Sequence, residues 1–178
     1  FKILERWPAA TTNRIQDPGF ELQPSAAVAA PWSGVGNYRW IEQNLAHQRS
    51  GTDNGIIFTD NTSAAGYKAF SQNVTMTANT DYKLTAWVRG TSGIAGNLLI
   101  KHPSGGYTFS TVPFNPKSQT AYQKIEEGFF NPGTSTTGAV ELGYTSTPTS
   151  TQWTYLDDFE LVAVNPAIDS GNILVDPS

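Results

Sequence analysis

The sequence predicts an all-β chain, an antiparallel β-sandwich of the jelly-roll type. Three observations predict it. Short runs rich in β-branched and aromatic residues recur along the chain, and Gly, Pro, Asn and Ser clusters break them about every 8 to 12 residues. No segment carries a sustained helical apolar period with caps. Strands without helices to cover them bury their apolar faces by packing sheet on sheet.

The elements follow in chain order. Residues 1–13, FKILERWPAATTN, alternate weakly and are expected to flank the module, with Trp7 as an anchor for that segment. PSAAVAAPW (24–32) is Ala-rich but enclosed by prolines, so it makes at most one helical turn. In NYRWIEQN (37–44) alternation puts Tyr38, Trp40 and Glu42 on one face and Arg39, Ile41 and Gln43 on the other, with Ile41 inward. GIIF (55–58) follows the TDNG turn. DYKLTAWVRG (81–90) alternates cleanly: Tyr82, Leu84, Ala86 and Val88 face one way, Lys83, Thr85, Trp87 and Arg89 the other. SGIAG, HPSGG, FNPKS, NPGTSTTG and TSTPTST then separate the strands NLLIK (97–101), YTFS (107–110), YQKIEEGFF (122–130), AVELGY (139–144) and WTYLDDFEL (153–161). Residues 164–178 are rich in breakers and read as a linker. The module is therefore expected over 14–163, as one part of a longer polypeptide.

Bulk properties narrow the function. The 178 residues suit one domain with a sizeable core. A net charge of −4, with 15% of residues charged, leaves no electrostatic footprint for nucleic acid. No apolar run approaches the roughly 20 residues of a membrane helix, so no membrane partner is expected. FKILERWPAA is too short and too charged for a signal peptide. Cysteine is absent, which removes disulfides, thiolate metal sites and cysteine nucleophiles. Abundant Thr, Ser, Asn and Gly, scarce Lys and two glycosylation sequons, at Asn61 and Asn73, lead to the expectation of a secreted protein.

YLDDFEL (155–161) poses a physical problem. Strict alternation places Asp157 with Tyr155, Phe159 and Leu161, and a carboxylate on a core-facing side needs a partner.

Pro18-Gly19-Phe20-Glu21, Trp32, Ser50-Gly51, Tyr82 to Val88 and Asp157 to Leu161 occur in an order and spacing that resembles the carbohydrate-binding modules of families 4, 9 and 22, over about residues 14–162. The resemblance implies a calcium-containing jelly roll attached to a polysaccharide-degrading enzyme. It implies that a structural calcium ion ties the first strand to the last, with Glu21 and Asp157 supplying carboxylates, Asp53 a further ligand, and Asp17 a ligand through its backbone. Calcium takes 6 to 8 oxygen ligands, commonly a few carboxylates with backbone carbonyls. The competing reading has Glu21 and Asp157 half-exposed and hydrogen-bonded to loop amides, with Asp158 in solvent.

Sugar binding needs flat rings rimmed by amides, carboxylates or Arg. Trp40 is expected to stack on a saccharide, with Glu42 accepting hydroxyl protons and Gln43 reaching the rim if the strand bulges. Trp32, Tyr107 and Trp153 are further candidates. Trp87 and Arg89 look outward, although Trp87 also reads as a structural residue under loops. Loops 31–38 and 102–118 are expected to set the groove.

Catalysis finds little support. Glu126 and Glu127 are adjacent and point to opposite faces, leaving Glu141 with Glu126 or Glu42 as the conceivable glycosidase pairs. His47 and His102 read as loop residues, and no HExxH, GxSxG, P-loop or GxGxxG occurs. The expected function is a non-catalytic module targeting a polysaccharide for an attached enzyme. A polysaccharide lyase or hydrolase on the same scaffold and a structural or adhesion sandwich are the alternatives.

Overall fold

The computed structural model describes residues 12–36, 39–59, 65–91, 94–146 and 151–164. Ten strands form: β1 (Ser33–Val35), β2 (Arg39–Glu42), β3 (Asn54–Thr59), β4 (Gly66–Thr75), β5 (Tyr82–Gly90), β6 (Gly96–Lys101), β7 (Thr108–Phe114), β8 (Gln123–Phe130), β9 (Thr137–Ser146) and β10 (Gln152–Ala163). They build two antiparallel five-stranded sheets, here A, in the order β1-β4-β9-β6-β7, and B, in the order β2-β3-β10-β5-β8. PSAAVAAPW forms no helix. No helix among the described residues is long and apolar enough to cross a membrane.

Period-two patterning makes the core. Leu84, Ala86 and Val88 of β5, Ile41, Ile57, Leu156 and Leu161 from sheet B meet Phe70, Leu98, Ile100, Val140 and Leu142 from sheet A. An aromatic knot closes one end, where Phe20 lies 4.9 Å from Trp32 and 5.1 Å from Phe70, and Trp32 lies 4.8 Å from Phe159. Trp32 is 2% exposed, and its indole N–H donates to Asp17 O at 2.8 Å. It is a core residue with no face left for a sugar, which corrects its assignment to the binding site.

β1 and β4 did not stand out in the sequence. In β4 the inward parity carries Lys68 and Gln72 beside Phe70 and Val74, which breaks the apolar pattern. Gln72 is buried because it works as a stitch: its Oε1 accepts from Gln16 N and its Nε2 donates to Gln16 O, both at 2.7 Å. The segment before it is bound in the same way. Asn13 Oδ1 accepts from Leu161 N, Asn13 Nδ2 donates to Phe159 O, and Arg14 N donates to Leu161 O. The body of the fold therefore includes Asn13. Trp7, Asn61 and the segments 1–11 and 165–178 lie outside the described residues.

The parity of YLDDFEL differs from strict alternation. Asp157 pairs with Trp87 and Glu160 with Thr85, so a bulge at 158–159 inserts one residue. Asp158 takes the left-handed conformation there, with φ 47°. Tyr155 and Asp157 consequently share the outer face of sheet B, while Phe159 and Leu161 enter the core. The question of what offsets a buried Asp157 remains, because it is 0% exposed beneath a loop.

Candidate functional site

The outer face of sheet A carries a buried carboxylate. Val140 and Leu142 point into the core, so Glu141 points out, between Ser71 and Leu99. An outward carboxylate ordinarily reaches water, yet Glu141 is only 3% exposed. Tyr67 Oη donates to Glu141 Oε1 at 2.7 Å and Lys101 Nζ to Oε2 at 2.8 Å. Tyr67 pairs with Thr145 and Lys101 with Ala139, so they approach Glu141 from opposite ends of β9. To reach it, the Tyr67 phenol passes over the row of Ala69 and Gly143, and Ala69 is fully buried although it faces outward. Small side chains there are required: a Cβ on Gly143 would stand 2.4 Å from that of Ala69. Burial first, then Glu141, pushes the Tyr67 phenol well above its usual range. Leu99 is half-buried beside the carboxylate, Asn73 and Asn97 are exposed around it, and Tyr107 stands 54% exposed at the β6–β7 end. The result is a floor of small residues with a carboxylate, an ammonium and a phenol at its centre.

On the other side of the sandwich, the loop 49–53 is held by two carboxylates from distant parts of the chain. Glu21 accepts from Thr52 N, Thr52 Oγ1 and Asp53 N at 2.8–3.2 Å. Asp157 Oδ2 accepts from Arg49 N at 2.9 Å and Ser50 N at 3.3 Å, and Oδ1 from Asp158 N at 2.8 Å. Burial dominates these bonds and raises Asp157 from 3.8 to about 7. Asp158 is paired with Arg49 and Ser50. Two glycines make room: a Cβ on Gly51 would fall 2.0 Å from Glu21 Oε1, and one on Gly19 would lie 3.3 Å from Asp157 Oδ1 and 3.6 Å from Glu21 Cγ. Gly51 also sits at φ 65°, a conformation side chains resist.

The same loop covers part of the outer face of sheet B. Arg89 lies buried between Tyr122 and Tyr155 and donates to the carbonyls of Thr120, Ala46 and His47. Arg49 stacks on Trp87 at 3.8 Å. Beyond the loop, Trp40, Phe58 and Trp153 are half-buried; Trp40 is 5.7 Å from Phe58 and Trp153 is 4.7 Å from Tyr155. His47 stacks on Tyr155 at 4.8 Å with its Nδ1 3.9 Å from Glu42 Oε1.

The residues singled out in the sequence thus divide among separate places. Trp40, Glu42 and Trp153 share the outer face of sheet B, with Ile41 inward. Gln43 follows β2 without a bulge and donates weakly to Asp53 Oδ2 at 3.4 Å, away from Trp40's face. Arg89 is buried and holds three loop carbonyls, which takes it out of reach of a ligand, whereas Trp87 is stacked by Arg49 and half-buried at the edge of a cleft lined by Thr85, Lys124 and Glu160. Tyr107 lies with sheet A. Of the four expected metal ligands, Glu21 and Asp157 converge on one loop. Asp17, expected to act through its backbone, has its carbonyl taken by Trp32 Nε1 at 2.8 Å and Phe20 N at 3.2 Å and its carboxylate by Leu22 N and Gln23 Nε2, and the Asp53 side chain turns to Gln43. Among the described residues no three His, Asp or Glu side chains form a metal-holding group. Glu141, Tyr67 and Lys101 were missed as a unit. The available signal was the carboxylate of AVELGY, alone on the parity opposite Val140, Leu142 and Tyr144. Glu141 lies on sheet A while Glu42 and Glu126 lie on sheet B, so neither conceivable glycosidase pair forms.

No family model and no curated protein sequence matches the chain. Solved structures do. A family 61 carbohydrate-binding module, TmCBM61, in complex with β-1,4-galactotriose, is similar over 86% of this chain and 100% of its own, with 19% identity and a TM-score of 0.69. A family 4 module is similar over 75% of this chain and 95% of its own, at 14% identity and a TM-score of 0.59. The C-terminal family 22 module of Clostridium thermocellum Xyn10B is similar over 76% and 87%, at 13% identity and a TM-score of 0.53. The chain has the jelly-roll fold of carbohydrate-binding modules.

Proposed function

We propose that the chain is a non-catalytic carbohydrate-binding module whose principal saccharide site is the outer face of sheet A around Glu141. The observation that carries this reading is the buried Glu141 carboxylate, its two oxygens divided between Tyr67 and Lys101 on an otherwise small-residue floor. The Lys101 ammonium, partly exposed and held in place by Glu141, can donate to sugar hydroxyls, and charge-assisted bonds are the strong ones. The flank of Tyr67 offers apolar surface to pyranose C–H faces. Structures of the same fold named as carbohydrate-binding modules, one of them in complex with a galactotriose, support the ligand class.

The module would be secreted and would concentrate an attached catalytic domain on its polysaccharide. A calcium ion fits the clasp in part. A fully buried carboxylate without a cationic partner supports it. Glu21 and Asp157 would hold the ion together with backbone carbonyls, and it would supply the positive charge that offsets the burial of Asp157. Catalysis by a carboxylate pair is disfavoured, because Glu126 is an exposed surface residue held ionised by Lys124 and Lys83 on the face opposite Glu141.

Affinity gel electrophoresis against soluble glucans, xylans, mannans and galactans tests the reading. Retardation by at least one is expected, reduced in Glu141→Gln; reducing-sugar release from the same panel should be absent. No retardation by any member refutes a binding module, and sugar release would make the chain an enzyme.

A further inference from the structure

From the outer face of sheet B we infer a second saccharide platform, formed by Trp40, Phe58 and Trp153 with Glu42 and His47 at its rim, so that one molecule holds two glycan chains on opposite sides. This rests on the carbohydrate-binding reading and extends it. Register places the rings. Trp40 and Tyr155 both pair with Ile56, while Trp153 pairs with Phe58, so these side chains project from the same face of three adjacent strands. Two strand spacings across and two residues along put the Cα atoms of Trp40 and Trp153 about 12 Å apart, the span of a short oligosaccharide. Phe58 lies between them, 5.7 Å from Trp40.

The chemistry of the rim selects the occupant. Glu42 and His47 are partly exposed, at 22% and 34% for their side chains, and the His47 ring is fixed by stacking on Tyr155 and by a 3.1 Å contact with its hydroxyl. A wholly apolar partner would bury the carboxylate unpaired, which is costly. An anionic partner would meet Glu42 with the nearby cation Arg89 already enclosed by loop carbonyls. A neutral sugar chain satisfies both requirements, with C–H faces for the indoles and hydroxyls for Glu42 and His47. Sheets A and B enclose one core between them, so this platform cannot share a ligand molecule's ring with the Glu141 site.

The test uses whichever polysaccharide of the glucan, xylan, mannan and galactan panel retards the protein, and an oligosaccharide of the same linkage for calorimetric titration. The wild type is expected to bind two oligosaccharides per molecule and to cross-link the polysaccharide into a turbid gel. Glu141→Gln should weaken the sheet A site about 10- to 100-fold and a Trp40→Ala, Trp153→Ala double variant should remove the other, so that each keeps one full-strength site and loses turbidity, and the triple variant should keep only the weakened sheet A site. Trp40→Tyr with Trp153→Tyr, which keeps an aromatic ring of smaller face at each position, should weaken the second site severalfold and keep the protein folded. One-to-one binding by the wild type overturns bivalency. If that single site is weakened in Glu141→Gln, the carbohydrate-binding reading survives; if no member of the panel binds at all, both readings fall.

Discussion

Asp157 makes the metal-free protein less stable as pH rises, the reverse of the usual behaviour of a salt-bridged carboxylate. Burial lifts its pKa from 3.8 to about 7. Below 3.8 the group is protonated folded and unfolded alike. Between the two values the folded protein holds a proton that the unfolded chain has released. The favourable contribution is thus complete at low pH, declines as pH climbs through the window, and is gone above about 7. A shift of roughly three units corresponds to at most about 4 kcal/mol, or about 8–16 °C in melting temperature for a domain of this size. Scanning calorimetry in EDTA from pH 4 to 8, comparing wild type with Asp157→Asn, isolates the term from the other carboxylates. The wild type should lose stability relative to the variant across that range. A divalent cation favours the ionised form, so added calcium should raise the melting temperature strongly at pH 8 and hardly at all at pH 4. Parallel curves for the two proteins in EDTA would refute the burial argument, and indifference to calcium at pH 8 would dispose of the cation.

Three further outcomes follow from the geometry. Glu141→Gln keeps the shape of the sheet A site but exchanges a charge-assisted bond for a neutral one, so ligand affinity should fall about 10- to 100-fold with the fold intact, read by titration calorimetry. Gly51→Ala forces a side chain into a left-handed position and against Glu21, and should cost about 1–3 kcal/mol in denaturant unfolding with little effect on sugar affinity. Trp32→Ala empties the aromatic knot and should cost about 3–5 kcal/mol, whereas a saccharide-site tryptophan would lose affinity and keep its stability.

Much of sheet B was legible because its chemistry obeys the period of two. DYKLTAWVRG gave its inner and outer faces by alternation alone, and Ile41 inward with Trp40 and Glu42 outward followed in the same way. β4 escaped because Lys68 and Gln72 occupy inward positions, and Gln72's reason for being there is a segment 56 residues earlier. Tyr67 was lost with that strand, and with it the Glu141 site. The bulge after Asp157 is invisible to any counting of alternate residues, since it depends on register with β5. Trp32 and Arg89 have the residue types of a sugar site but the surroundings of a scaffold. Only the folded neighbours, an aromatic knot in one case and three loop carbonyls in the other, tell these apart.

Asn13 and Arg14 lie alongside Phe159 and Leu161, bonded to them through side chain and main chain. Entry and exit of the module are therefore neighbours on the strand that also carries Asp157. A unit whose two ends meet in this way can branch from a longer chain without lengthening that chain's path. Tension between the two ends would load this seam in preference to the two broad faces.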